Sequence, residues 1–167
     1  MFLTIESFKK SVDVMAEGTS NILKALNDVS LKQKVTDGHR DIGRIAWHII
    51  QSIPEMGNRT GLEVAGPGEK DTIPEKADQF VSEYAKAIKS LADDVISKWS
   101  DKDLMVEDDM YGQQWARGLT LKILMDHEVH HRGQMTVLMR QAGLKVPGVM
   151  GPSLEEWEKF GMENPEI

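Results

Sequence analysis

The chain has 167 residues, enough for one domain with its own core, and carries a formal net charge of −7. An acidic surface repels phosphate backbones, so nucleic acid is not an expected partner. The absence of cysteine rules out disulfides and thiolate ligands, and 40% hydrophobic against 28% charged residues is the mix of a folded soluble protein rather than a disordered one. No apolar run approaches the ~20 residues of a membrane span. The opening MFLTIESFKK lacks a basic stretch followed by an apolar one, so the expected setting is cytoplasmic, away from membranes.

Residues 5–28 are predicted to be helical, because Phe8, Val12, Met15, Ile22, Leu23 and Leu26 recur mostly at spacings of three and four. Thr4 is the expected N-cap, with Glu6 in the first turn. Residues 29–40 are polar and hold the turn signal Asp37-Gly38. A second helix is expected over 41–57, with Ile42, Ile45, Ile49 and Ile53 as its stripe and Pro54 kinking or ending it. Residues 57–73 (GNRTGLEVAGPGEKDTI) read as a long loop.

Thr72 and Glu75, with Pro74 between them, read as a capping box that opens a third helix. Its stripe is Ala77, Phe80, Tyr84, Ala87 and Leu91, and it ends near Trp99. Residues 100–116 are acidic, with a Tyr-Gly turn, and read as irregular. A fourth helix covers 117–142, with Leu121, Leu124, Met135 and Leu138 inward and Gly143 as its C′ residue. The tail is a loop followed by a short helix opened by Ser153 and Glu156. With no convincing strand, the expected fold class is all-α: a four-helix bundle with a short C-terminal helix, one domain over 1–167.

The fourth helix contains DHEVHHRGQM, residues 126–135. His127 and His131 stand four apart, so both imidazoles emerge on one face, a spacing that recurs in zinc sites. His131 falls on the inner stripe, seven after Leu124 and seven before Leu138. His130 points to the flank. His48, between Ile45 and Ile49 on the second helix, is the candidate third ligand; the alternative is an imidazole satisfied by a backbone carbonyl. His39 is assigned no role.

The same stretch fits H-E-x-x-H, in which Glu128 would be the base of a zinc protease. The longer protease pattern places a glycine and a third histidine where this chain has Gln134 and Val137. A downstream carboxylate from Glu155, Glu156 or Glu158 remains available as a ligand. The lack of a strand to seat a peptide argues against a protease.

HEVHHRGQM resembles the H-x-x-H-H-x-G-Q pattern of the DinB/YfiT-like family. AWHII resembles the family's first-ligand segment, and VPGVMGPSLEEWEKFGM its closing segment. The resemblance runs from the second helix to the C-terminus. It implies a four-helix bundle with a divalent metal, zinc or nickel, held by His48, His127 and His131, and a homodimer. It also implies a small-molecule substrate, since some relatives are enzymes that use low-molecular-weight thiols in S-transfer or isomerisation.

Three neutral histidines leave a divalent ion its charge and an open position, which favours a thiolate or lowers the pKa of water. Glu128, about 100° around the helix from His127, is the candidate base. His130, Gln134 and Asp126 are candidates to anchor the ligands from behind. Arg44 and Arg132 are candidates to meet an anionic group, and Trp47, Trp115 and Tyr111 to line the cleft. The expected function is a metal-dependent thiol S-transferase or small-molecule hydrolase. The alternative is a non-catalytic stress-response bundle stabilised by its metal.

Overall fold

The computed structural model describes residues 1–163 and 166. Four long helices carry the chain: α1 (Ile5–Lys24), α2 (Ile42–Arg59), α3 (Ala77–Lys98) and α4 (Arg117–Gln141). Short 3-10 turns lie at Ser30–Lys32, Asp103–Met105 and Leu154–Phe160. The closest packing pairs α1 with α3 and α2 with α4; α2 with α3 and α1 with α4 close the ring. Helices adjacent in the chain, α1/α2 and α3/α4, therefore sit on the diagonals.

The predicted stripes all turn inward. Phe8 and Ile22 of α1, Ile49, Ile50 and Ile53 of α2, Phe80, Tyr84 and Leu91 of α3, and Leu121, Leu124 and Met135 of α4 are almost fully buried. Trp47 belongs to this core rather than to a cleft: it packs edge-on against Phe80 and donates its Nε1–H to the Asp71 carbonyl at 3.2 Å. Thr4 caps α1, its Oγ1 accepting from Ser7 N–H at 3.1 Å.

The boundaries differ where local chemistry competes. Helix α1 stops at Lys24 rather than 28, because the Asn27 side chain accepts from Ser30 N–H at 2.9 Å and draws the chain into a turn. Helix α2 continues through Pro54 to Arg59, since Ile53 and Met56 on either side of the proline are buried and hold the helix to the core. The expected capping box at Thr72 and Glu75 does not open α3. Asp28 caps it from across the bundle end: its Oδ1 accepts from Ala77 N–H at 2.9 Å and its Oδ2 from Lys76 Nζ at 2.8 Å.

The all-α expectation is corrected at residues 107–116. Two strands, β1 (Glu107–Met110) and β2 (Gln113–Ala116), pair antiparallel with Asp108 opposite Trp115. Tyr111 (φ +59°) and Gly112 (φ +82°) form the two-residue turn between them, a left-handed pair that matches strand twist. The hairpin is anchored by buried Met110 and by Asp108, which accepts from Arg117 Nε at 2.8 Å. Gly143 adopts the left-handed conformation expected of a C′ residue (φ +73°).

Gly118, in the first turn of α4, is held against the N-terminal segment. Phe2 N–H donates to its carbonyl at 2.9 Å, and a Cβ there would stand 2.1 Å from the Phe2 carbonyl oxygen. Gly118→Ala should therefore force backbone apart and lower stability by about 1–3 kcal/mol, read as a drop in the urea midpoint. An unchanged midpoint would show that the segment around Phe2 yields freely.

Candidate metal centre

Helices α2 and α4 meet along a polar seam. On α2, Arg44, His48, Ser52, Glu55 and Arg59 recur at spacings of three and four and so share one face. On α4, His127 and His131 face them. His48 Nε2 lies 3.1 Å from His127 Nε2, and His131 Nε2 lies 3.0 Å from the same atom. The three rings stand nearly perpendicular to one another, with centroids 4.4–4.8 Å apart. Each offers one ligand atom, all within 4.8 Å of one another, and among the described residues no carboxylate joins the group.

This donor set fits a metal better than it fits itself. Gln134 Oε1 accepts from His131 Nδ1–H at 2.8 Å, which leaves a lone pair on His131 Nε2. Between neutral rings, His127 Nε2 can then complete only one of its two short contacts as a hydrogen bond. His127 Nδ1 is buried without a partner, so the rings do not satisfy one another by other means. Donors sharing one ion at about 2.0–2.1 Å stand roughly 2.9–3.4 Å apart, which brackets both separations.

Burial, reinforced by the neighbouring imidazoles, pushes His48 down to about 4, and burial also lowers His127 and His131. All three are therefore neutral near pH 7, the form that binds metal. The unfolded chain takes up protons near 6.5 while the folded one resists, so it binds more protons in that window. Stability of the chelator-treated protein should thus fall as pH drops from 6.5 toward 4. A variant with His48, His127 and His131 replaced by Gln should show a flatter profile; equal slopes would mean the rings are not held neutral.

Of the other nominated residues, Gln134 is in contact with His131 through the hydrogen bond described above. Its Nε2 donates to His130 Nε2 at 3.0 Å, which ties His130, exposed on the flank, to the His131 ring indirectly. Asp126 does not reach the site: it pairs with Lys122 on the outer surface. Gly133 faces open space, so no helix of this chain explains it.

Glu128 is turned the other way. Its Oε1 accepts from Thr19 Oγ1 at 2.5 Å and Tyr84 Oη at 2.6 Å, from α1 and α3, and it is 2% exposed. Arg132, also expected near substrate, is buried in the same cluster, its Nη1 donating to Thr19 Oγ1 at 3.1 Å. Adjacent residues on a helix lie about 100° apart, and that angle carries Glu128 to a second interface. Its carboxylate is therefore not placed to take a proton at the imidazoles. The Glu128→Ala change strands a buried guanidinium and phenol, and should cost about 3–5 kcal/mol of stability while leaving metal content per folded chain unchanged. Lost metal with intact stability would restore Glu128 to the centre.

Glu55 and Arg40 are the functional candidates that sequence reasoning missed. Glu55, seven after His48, acts electrostatically on His127. Its carboxylate accepts from Tyr111 Oη at 2.6 Å and from Arg59 Nε at 2.5 Å, while the Arg59 guanidinium lies 4.5 Å from the centre of the Tyr111 ring. Burial and this hydrogen bond raise the Tyr111 phenol to about 12, so it stays a donor. Trp115 meets Tyr111 edge-on. Arg40 acts on all three imidazoles from the opposite end. The seven-residue step from His48 was the available signal for Glu55. For the protease reading, Glu155 pairs with Arg140 at 3.2 Å, and Glu156 accepts from Gly148 N–H at 2.9 Å, so neither is a ligand.

A family model described as the DinB family matches residues 1–166. This chain belongs to the DinB family. The uncharacterized protein YrdA of Bacillus subtilis (strain 168) is 41% identical over 167 residues, the full length of both chains. A DinB-like protein from Bacillus cereus ATCC 10987, known from its crystal structure, is 42% identical and superposes with a TM-score of 0.86, covering 89% of this chain and 99% of its own. A DinB-like protein from Bacillus subtilis is only 16% identical but keeps the fold, with a TM-score of 0.67 over 86% of this chain and 97% of its own. No helix among the described residues of this DinB protein is long and apolar enough to cross a membrane.

Proposed function

We propose that this protein is a metal-dependent enzyme acting on a small molecule, by S-transfer with a low-molecular-weight thiol or by hydrolysis. The observation that carries this reading is the clustering of three imidazoles, with His48 Nε2 and His131 Nε2 each about 3 Å from His127 Nε2 and one ring nitrogen of each within 4.8 Å of the others. A divalent ion held there by His48, His127 and His131, zinc or nickel, would supply positive charge that favours the deprotonated form of a thiol or of water.

The chain's own groups do the rest. Gln134 keeps the proton of His131 on Nδ1, so that Nε2 always faces inward. We assign to Glu55 the role of accepting a proton from substrate, and its hydrogen bonds to Tyr111 and Arg59 support that role by fixing its direction. The family resemblance also supports a cytoplasmic homodimer.

A second reading is a non-catalytic stress-response bundle that the metal merely stabilises. It draws on Glu128, which is spent on packing, and on the fact that the histidines join α2 to α4, so that an ion there would pin the two helices.

Elemental analysis of purified wild type and of His48→Ala comes first. One divalent ion per chain in wild type and little in the variant is the expected result. No ion in either, after incubation with zinc and with nickel, removes the enzyme reading. Glu55→Gln then separates the two readings: turnover of a thiol-dependent reaction should fall on the order of 10²–10⁴-fold with metal content unchanged, as for loss of a general base.

A further inference from the structure

The six arginines of this chain do not behave alike. Arg59 pairs with Glu55, Arg117 with Asp108 and Arg140 with Glu155, and Arg132 is hydrogen-bonded inside the bundle. Arg40 and Arg44 have no side-chain hydrogen bond or ion pair among the described residues. This is notable in a chain with 27 acidic side chains and a net charge of −7, where carboxylates are in surplus.

Their position adds to the cost. Arg40 precedes the α2 N-cap, Asp41, and Arg44 lies in the first turn, where the helix dipole already presents positive charge. Asp41 is committed to capping, its Oδ1 accepting from Arg44 N–H at 2.8 Å. Two cations at a helix N-terminus with no ion-pair partner among the described residues add little to the stability of the fold. They leave a positive lobe beside the imidazoles.

Of the two, Arg40 opens directly onto a cleft, while Arg44 acts electrostatically on His48. A cavity of about 520 Å³ is walled by Val35, Arg40, Ile45, His131, Gln134 and Leu138, within the size range of small-molecule sites. His131 belongs to both the cleft and the histidine centre, so anything filling the cleft touches the centre. Arg44 stands one turn before His48, about 6 Å along the helix axis. Glu55 stands on the far side of His48, about 10 Å along the same axis. The seam is thus polar from end to end: cationic at Arg40 and Arg44, the imidazoles in the middle, anionic at Glu55.

We propose that Arg40 and Arg44 form the binding site for an oxyanion, a carboxylate or phosphate, at one end of the substrate, and that the apolar wall of the cleft lays the remainder of the molecule across the histidines toward Glu55. Arginine suits either oxyanion through its planar pair of donors. The substrate class is then a small anionic molecule, extended rather than compact, with its reacting atom a few ångströms from its charge. This rests on the histidine cluster being the reacting centre, but the anion site itself is a property of the two arginines and the cleft.

Isothermal titration with four probes tests it. Succinate carries two carboxylates without a thiol, mercaptosuccinate adds the thiol, 2-mercaptoethanol has the thiol without the charge, and inorganic phosphate is the alternative oxyanion. Each is titrated into zinc-loaded and chelator-treated protein, as wild type and as the Arg40→Gln/Arg44→Gln double variant. Succinate or phosphate should bind wild type with or without zinc, and whichever binds more tightly names the oxyanion. The double variant should lose on the order of tenfold per arginine for succinate, mercaptosuccinate and phosphate, and nothing for 2-mercaptoethanol on zinc-loaded protein. Binding should also weaken as salt rises.

Equal oxyanion affinity in wild type and double variant would overturn the proposal, as would no oxyanion binding to wild type. Equal loss of 2-mercaptoethanol binding would overturn it too, because the arginines would then be acting on the centre as a whole. Oxyanion binding that depends on the arginines in a protein that takes up no zinc would leave the anion site standing and remove the metal-enzyme reading instead.

Discussion

Helix α4 carries buried polar groups on two faces, and each face demands a different partner. His127 and His131 look toward α2, while Glu128 and Arg132 look toward α1 and α3. A buried carboxylate or guanidinium without its partner costs far more than an apolar contact yields, so Glu128 and Arg132 reinforce the rotation of α4 that its apolar stripe selects. A turn of even one residue position would withdraw both from Thr19 and Tyr84. The imidazoles, one residue earlier on the same helix, inherit that rotation. The packing cluster and the apolar stripe of α4 thus share the orientation that faces the imidazoles toward α2, and the stripe keeps that orientation when Glu128 alone is lost.

The inner histidines were legible because they obey the same period as the core. His131 shares a heptad step with Leu124 and Leu138, and His48 sits between Ile45 and Ile49. Glu128 was not legible, because its neighbour His127 fixes only the angle between them and not what stands opposite. The pair Glu128/Arg132 repeats the spacing of His127/His131, and that doubling was the sign of a second buried face. Arg40 was hidden by its place in a polar turn, whose path back over the cleft no local pattern describes. The hairpin was missed because EDDM and QQWA carry few β-favouring residues; Tyr111-Gly112 alone marked it, and tertiary anchoring by Met110 made the strands.

The DinB fold outlasts extensive change in sequence. At 16% identity the bundle still superposes with a TM-score of 0.67, so the fold tolerates exchange of most of its side chains. A bundle of this kind presents facing helices whose inward positions can be exchanged for ligands without altering the backbone path. The seam between α2 and α4 uses that freedom along its whole length, from Arg40 through the histidines to Glu55.

The cap on α3 has a consequence for the order of assembly. Asp28 reaches Ala77 across 49 positions of sequence, and α1 and α2, like α3 and α4, lie on opposite corners of the bundle although they follow one another in the chain. The first turn of α3 thus finds an acceptor for its amide only after α1 and the turn behind it have docked. Helix-rich proteins usually gain speed from short-range contacts. This one forgoes part of that advantage, and the gain is cooperativity: α3 cannot fray at its start without releasing the turn that follows α1.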